Sequence, residues 1–112
     1  MNRSFVAHAI KLVPLLLSVA VIAVMGQIFA GRLTYPYDLG WMEGGMLVHS
    51  WRMLHGLPVY QAPAPDFIPY IYPPGYPALV ALLGQFFPLD YTLGRTVSVL
   101  GTLAAAAAMA FG

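Results

Sequence analysis

Cysteine is absent from this chain, and charge is scarce. The first absence rules out disulfides and thiolate metal sites and leaves the compartment open. The second excludes more. Only 8% of the 112 residues are charged and 60% are hydrophobic, whereas soluble domains carry about 25% charged residues. Too little polar surface exists to cover a water-exposed globule, so lipid is the better solvent. The net charge of +1 supplies no basic field for nucleic acid.

What is present is long apolar runs. Leu12 to Ala30 is nineteen residues with only Ser18 and Gln27 polar, roughly 28 Å as a helix and close to the hydrocarbon thickness of a bilayer. Pro14 falls in the first turn of that run, where a missing N–H costs little. A cleaved signal peptide has a shorter apolar region of roughly 7–15 residues before a small-x-small site. Ile28-Phe29-Ala30 fits that site poorly, so the run reads as a retained span. A second apolar stretch, 74–88, reads as a short span of about 24 Å at most. Leu89-Asp90 reads as a tight turn. A third span runs 91–112 and is still apolar at Gly112, as though truncated. Gly94, Ser98, Thr102, Ala106 and Ala110 recur along it every four residues, a small-residue stripe that admits another helix closely. No obvious complement to the stripe stands elsewhere in the sequence, which points to further transmembrane helices as its partner.

Between the first two spans lies a loop, 31–73, that holds both tryptophans, five of seven tyrosines, six of ten prolines and three of four acids. Such aromatic density marks a membrane–water interface, and structureless loops of this length tend to be functional. Within it 41–55 reads as an amphipathic interfacial helix. Met42, Met46, His49 and Met53 form one stripe beside Leu47, Trp51 and Leu54. Gly56 stands where a C-cap is wanted, with Pro58 beyond. Five prolines within 63–74 exclude helix and central strand and leave a rigid extended return path. The expected fold is therefore all-α transmembrane: two complete spans, a truncated third, and one long non-cytoplasmic loop. Arg3, Lys11 and Arg95 outnumber Arg32 and Arg52 across the expected spans, which favours a cytoplasmic N-terminus, an outward loop and the cell membrane.

The chemistry, if any, belongs to that loop. Asp38, Glu43 and Asp66 are its acids, and an interfacial carboxylate can serve as a general base or hold a divalent cation. Each also has a plainer role. Asp38 suits a helix N-cap, Glu43 complements the helix dipole, and Asp66 suits a solvated turn. Glu43, His49 and His55 are six apart, about 240° around a helix, so they do not share a face and do not make a zinc site. His49 and His55 read as interfacial polar residues. A departing phosphate needs cations, and Arg52 and Arg32 are the loop's candidates, with snorkelling from a helix end the plainer reading of Arg32.

Met42-Glu43-Gly44-Gly45-Met46-Leu47, then Arg52 through Tyr60 (RMLHGLPVY), then Tyr72-Pro73-Pro74-Gly75-Tyr76-Pro77 resemble the first loop of membrane glycosyltransferases of the GT-C fold, a class that includes protein O-mannosyltransferases and aminoarabinose transferases. The likeness covers roughly residues 36 to 95. It implies an N-terminal part of an inverting transferase that moves a sugar from a polyprenyl-phosphate donor to an acceptor hydroxyl. It implies Glu43 or Asp38 as the base, and Arg52, Tyr60 and Tyr72 at the substrate. The family's Asp-Glu pair reads Met42-Glu43 here, with an acid at Asp38 instead. Two other classes compete. A transporter fragment would carry ionisable groups inside its spans, and the expected spans carry no acid. A small membrane scaffold without catalysis fits the length, since two or three helices do not enclose a sugar-sized pocket.

Overall fold

The computed structural model describes residues 2–112. Four helices follow one another: α1 (Arg3–Leu33), α2 (Glu43–Leu54), α3 (Gly75–Leu83) and α4 (Tyr91–Phe111). No strand occurs among the described residues, only an isolated bridge from Ala64 to Phe67. The chain divides into two compact units, Met1–Arg32 and Leu33–Gly112.

The first unit is helix α1, and no residue of it is buried. Its 31 residues extend to roughly 46 Å, half as long again as a bilayer core. The apolar run forms as expected, and the helix continues nine residues before Leu12 because nothing in 3–11 breaks it. Arg3, Ser4, His8 and Lys11 make this added stretch polar, suited to the headgroup layer. Pro14 consequently lies inside the helix and not in its first turn. Its ring removes one backbone bond, and the Ser18 hydroxyl donates to the Pro14 carbonyl at 2.8 Å. That carbonyl is one turn beyond the Ile10 carbonyl that Pro14 cannot serve, so the hydroxyl does not replace the lost bond.

In the second unit α2 packs chiefly on α3, and both touch α4. Val80 is wholly buried, with Ala81, Val97, Phe67 and Val59 around it. Ser50 is buried as well and returns its hydroxyl to the Met46 carbonyl at 3.0 Å, so the core keeps no unmet hydroxyl there. Helix α2 closes on Gly56, the one residue with positive φ among the described residues, at 68°. The Leu57 N–H reaches the Arg52 carbonyl and the Gly56 N–H the Met53 carbonyl, a Schellman closure that glycine permits. The C-cap read from the sequence is therefore present. The expected N-cap is not: α2 starts from Met42, with no side chain capping it.

The stretch 74–88 departs most from expectation. Helix α3 has nine residues, about 14 Å and half a bilayer core, so it is not a complete span. Beyond Leu83 the chain turns, with Phe86 and Phe87 N–H groups both on the Leu83 carbonyl. Pro88 explains this. It has no N–H to offer the Gly84 carbonyl, and it forces Phe87 out of the helical region. Two helices are long and apolar enough to cross a membrane, α1 and α4. Helix α4, at 21 residues, spans about 31 Å and already suffices. Within the Leu89-Asp90 turn, Asp90 is also the N-cap of α4: its carboxylate accepts the Leu93 N–H at 2.9 Å.

The start of the small-residue stripe on α4 meets Tyr76 of α3 and Leu47 of α2 inside the chain. Tyr76 of α3 donates to the Gly94 carbonyl at 2.9 Å, and a Cβ on Gly94 would come within 3.0 Å of that hydroxyl. Thr102, Ala106 and Ala110 are exposed.

Gly45 has a sharper requirement. A Cβ there would lie 2.2 Å from the Tyr70 ring, which is itself held between Trp41 and His49. Gly45→Ala is expected to expel Tyr70 and destabilise the second unit by about 1–3 kcal/mol, the usual cost of overpacking. Thermal unfolding in nanodiscs checks this, and Gly45→Ala combined with Tyr70→Leu should recover part of the loss.

Candidate functional site

The best-defined polar centre joins the first turn of α2 to the first turns of α4. Glu43 and Arg95 meet as a two-point pair, Nε to Oε1 at 2.6 Å and Nη2 to Oε2 at 2.9 Å. The Arg95 side chain is 9% exposed and the Glu43 side chain 24%. Arg95 also donates to the carbonyls of Tyr35 and Tyr37, and Glu43 Oε2 accepts the Leu39 N–H at 2.8 Å. One guanidinium thus ties segment 35–37, α2 and α4 together. The Arg95 hydrogen bond holds the Glu43 carboxyl below its ordinary value, against the opposing effect of burial.

Asp38 stands next to this pair without being part of it. Both its carboxylate oxygens lie over Gly44, 3.2 and 3.4 Å from where a Cβ would stand, and the Tyr91 hydroxyl is 3.4 Å from the same point. The Asp38 carboxylate and the Tyr91 hydroxyl thus face the same point over Gly44. A side chain at 44 would crowd both groups, so glycine there is what brings a carboxylate and a phenol together. Tyr91 and Glu43 line a groove of about 310 Å³ between α2 and α4, walled also by Met42, Met46, Leu47 and Ser98.

The structure brings Asp38 and Glu43 together and places the other sequence-named residues nearby or apart. Tyr60 donates to the Tyr72 carbonyl, and the Tyr72 hydroxyl reaches the Met42 sulfur at 3.6 Å. These two tyrosines fasten the return path to the start of α2, beside Glu43. Arg52 belongs to a different cluster: its Nε donates to the Pro58 carbonyl at 2.9 Å and its guanidinium lies 4.0 Å over the Phe67 ring. His55 stacks on Trp51 at 4.3 Å, while His49 is buried against Phe67 and Tyr70. Among the described residues no three His, Asp or Glu side chains converge as a metal site would need.

Arg95 departs from the expectation that groups it with Arg3 and Lys11, because it binds loop carbonyls and a loop carboxylate. Counting it with Arg32 and Arg52 leaves two basic residues, Arg3 and Lys11, on the N-terminal side and three on the loop side. The charge bias behind a cytoplasmic N-terminus therefore disappears. The signal was nonetheless present, since an arginine one turn inside an apolar helix demands a counter-ion.

Comparison with protein-family models, curated proteins and solved structures finds no match.

Arg95→Met is expected to cost about 3–5 kcal/mol, because it strands a carboxylate with little access to water. The pair also fixes a pH dependence. With the folded Glu43 below its ordinary value of 4.5, its stabilisation is complete above that pH and is lost as pH falls through the lower folded value. Acid unfolding followed by circular dichroism should show this loss in the wild-type chain and not in Arg95→Met.

Proposed function

We propose that these residues form the N-terminal part of a polytopic membrane glycosyltransferase, with Asp38 as the base that activates an acceptor hydroxyl. The observation that carries this reading is the unequal state of the two loop acids. Both Glu43 oxygens are committed to Arg95 and Leu39, and its proton affinity is lowered. That is a poor base and a good strut. Asp38 lies over Gly44 beside the hydroxyl of Tyr91, a residue that lines the groove, and in this reading it reaches an acceptor held there.

In the proposed reaction an Asp38 oxygen takes the proton of the acceptor hydroxyl while the acceptor's own oxygen attacks the anomeric carbon. The bond from that carbon to the donor's phosphate oxygen breaks, polyprenyl phosphate leaves, and the configuration inverts. Arg52 spends Nε on Pro58 and would turn its terminal amino groups toward the phosphate, with Tyr60 and Tyr72 bordering the same loop. A divalent cation remains compatible with two adjacent carboxylates but has no step assigned to it. The apolar α1 and α4 suit a protein held in the cell membrane. The exposed small-residue face of α4 suits packing against further transmembrane helices. The outward placement of the loop rests on the transferase reading alone, since the count of basic residues does not favour it once Arg95 joins the loop side.

Asp38→Asn in the full-length protein should lower sugar transfer from a polyprenyl-phosphate donor by about 10²–10⁴-fold at unchanged protein level. Glu43→Gln should lower the amount of folded protein more than turnover per folded molecule. If Asp38→Asn folds and retains near-normal transfer, the assignment of the base is wrong. Orientation is read separately: a cysteine at Ala62 should react with an impermeant thiol reagent in intact cells, and one at Ser4 should not.

A further inference from the structure

Outside the candidate site, the most buried ionisable group not bound to an opposite charge is His49, at 3% exposure. It sits mid-way along α2, one turn beyond Gly45, where the return path lies down on the helix. Its Nε2 accepts the Tyr70 N–H at 3.4 Å, and the ring also hydrogen-bonds the Ile68 backbone. With Nε2 used as an acceptor, the single proton of the neutral ring belongs on Nδ1. The ring faces are covered too, by Phe67 with centroids 5.2 Å apart and by Tyr70 at 5.0 Å.

Segment 67–72 has several other attachments: Tyr70 over Gly45 and against Trp41, Tyr72 to the Met42 sulfur, Tyr60 on the Tyr72 carbonyl, and Arg52 over the Phe67 ring. Of these and the His49 contacts, the imidazole is the one that titrates near neutral pH. We propose that His49 is a pH-operated latch, which holds segment 67–72 on α2 when neutral and releases it when protonated. Protonation turns Nε2 from acceptor into donor, so it faces the Tyr70 N–H with no lone pair. It also places a charge in a buried ring with no carboxylate bonded to it.

The surroundings oppose that charge. Burial is the largest effect and pushes the folded ring below its ordinary 6.5; the Ile68 backbone works against that shift, and Arg52 on the same helix adds a smaller repulsion. From the return path, Asp66 lines a cavity of about 290 Å³ beside His49, and Tyr70 covers the ring. Helix α3 contributes Tyr76 as its one ionisable side chain, and Arg95 of α4 is bound to Glu43 at the start of α2. The sign follows: docking is complete above pH 6.5 and weakens as pH falls below it, because the released segment leaves His49 free to take a proton. Release would also free Tyr72 from Met42, which borders the groove beside Glu43. The latch stands whether or not the transferase reading does.

Hydrogen exchange of the 67–72 amides, measured on the full-length protein in nanodiscs from pH 8 to 5 and corrected for intrinsic rates, tests it. Protection is expected to be flat above pH 7 and to fall at least about tenfold by pH 5. In His49→Gln, whose amide supplies an acceptor and a donor without titrating, protection should not change with pH. Wild-type protection that is constant to pH 5, or an equal fall in His49→Gln, would overturn the proposal. If His49→Gln leaves the segment unprotected at every pH, ring ¹⁵N shifts of labelled histidine in the wild-type chain decide. Double protonation of His49 in step with the loss of protection supports the latch, and a neutral ring at pH 5 with protection already lost defeats it.

Discussion

The second unit depends on the pairing of Glu43 with Arg95. An arginine near the start of a membrane-length helix and a carboxylate on a loop helix are each costly alone. Joined at two points, with two loop carbonyls satisfying more of the guanidinium, they become a joint that fixes direction as well as position. A lysine would not reproduce it, because a single ammonium cannot address two carboxylate oxygens and two carbonyls in one plane. The groove between α2 and α4, and the place of Asp38 beside Tyr91, follow from where this joint holds the two helices.

Around the joint, small residues decide what can approach. Gly44 accommodates Asp38 and Tyr91, and the next residue, Gly45, accommodates Tyr70. Two adjacent positions on a helix point about 100° apart, so this pair opens two sides of α2 at one level. One side receives polar groups and the other an aromatic cluster of Trp41, Tyr70, His49 and Phe67. Either glycine would lower helix propensity by about 1 kcal/mol relative to alanine. Contacts on both sides make that loss tolerable.

Local chemistry was legible in the sequence and long-range chemistry was not. The apolar run of α1, the limits of α2 to within two residues, its Gly56 cap and the α4 helix could all be read from periodicity and capping residues. The 74–88 stretch misled because hydropathy ignores that Pro88 blocks helix on its N-terminal side. Asp38 was readable as a loop acid, but its partner Tyr91 lies in another element, and no local pattern joins them. Arg95 misled more seriously: a charge at an expected helix boundary looks like a topology marker until its carboxylate partner is found. His49 carried a polar residue's expectation on an amphipathic face, and nothing in its spacing announced that proline-rich chain would cover it.

The joint between Glu43 and Arg95 also sets an order of events during synthesis. The partners are 52 positions apart, so at roughly 5–20 residues per second about 3–10 s pass between their appearances at the ribosome. Through that interval the loop helix exists without its cation, and its carboxylate has only solvent and its own backbone to rely on. Loop 31–73 thus acquires its final geometry after α4 emerges, and a ribosome that stalls before residue 95 leaves a nascent chain whose loop has nothing to close on.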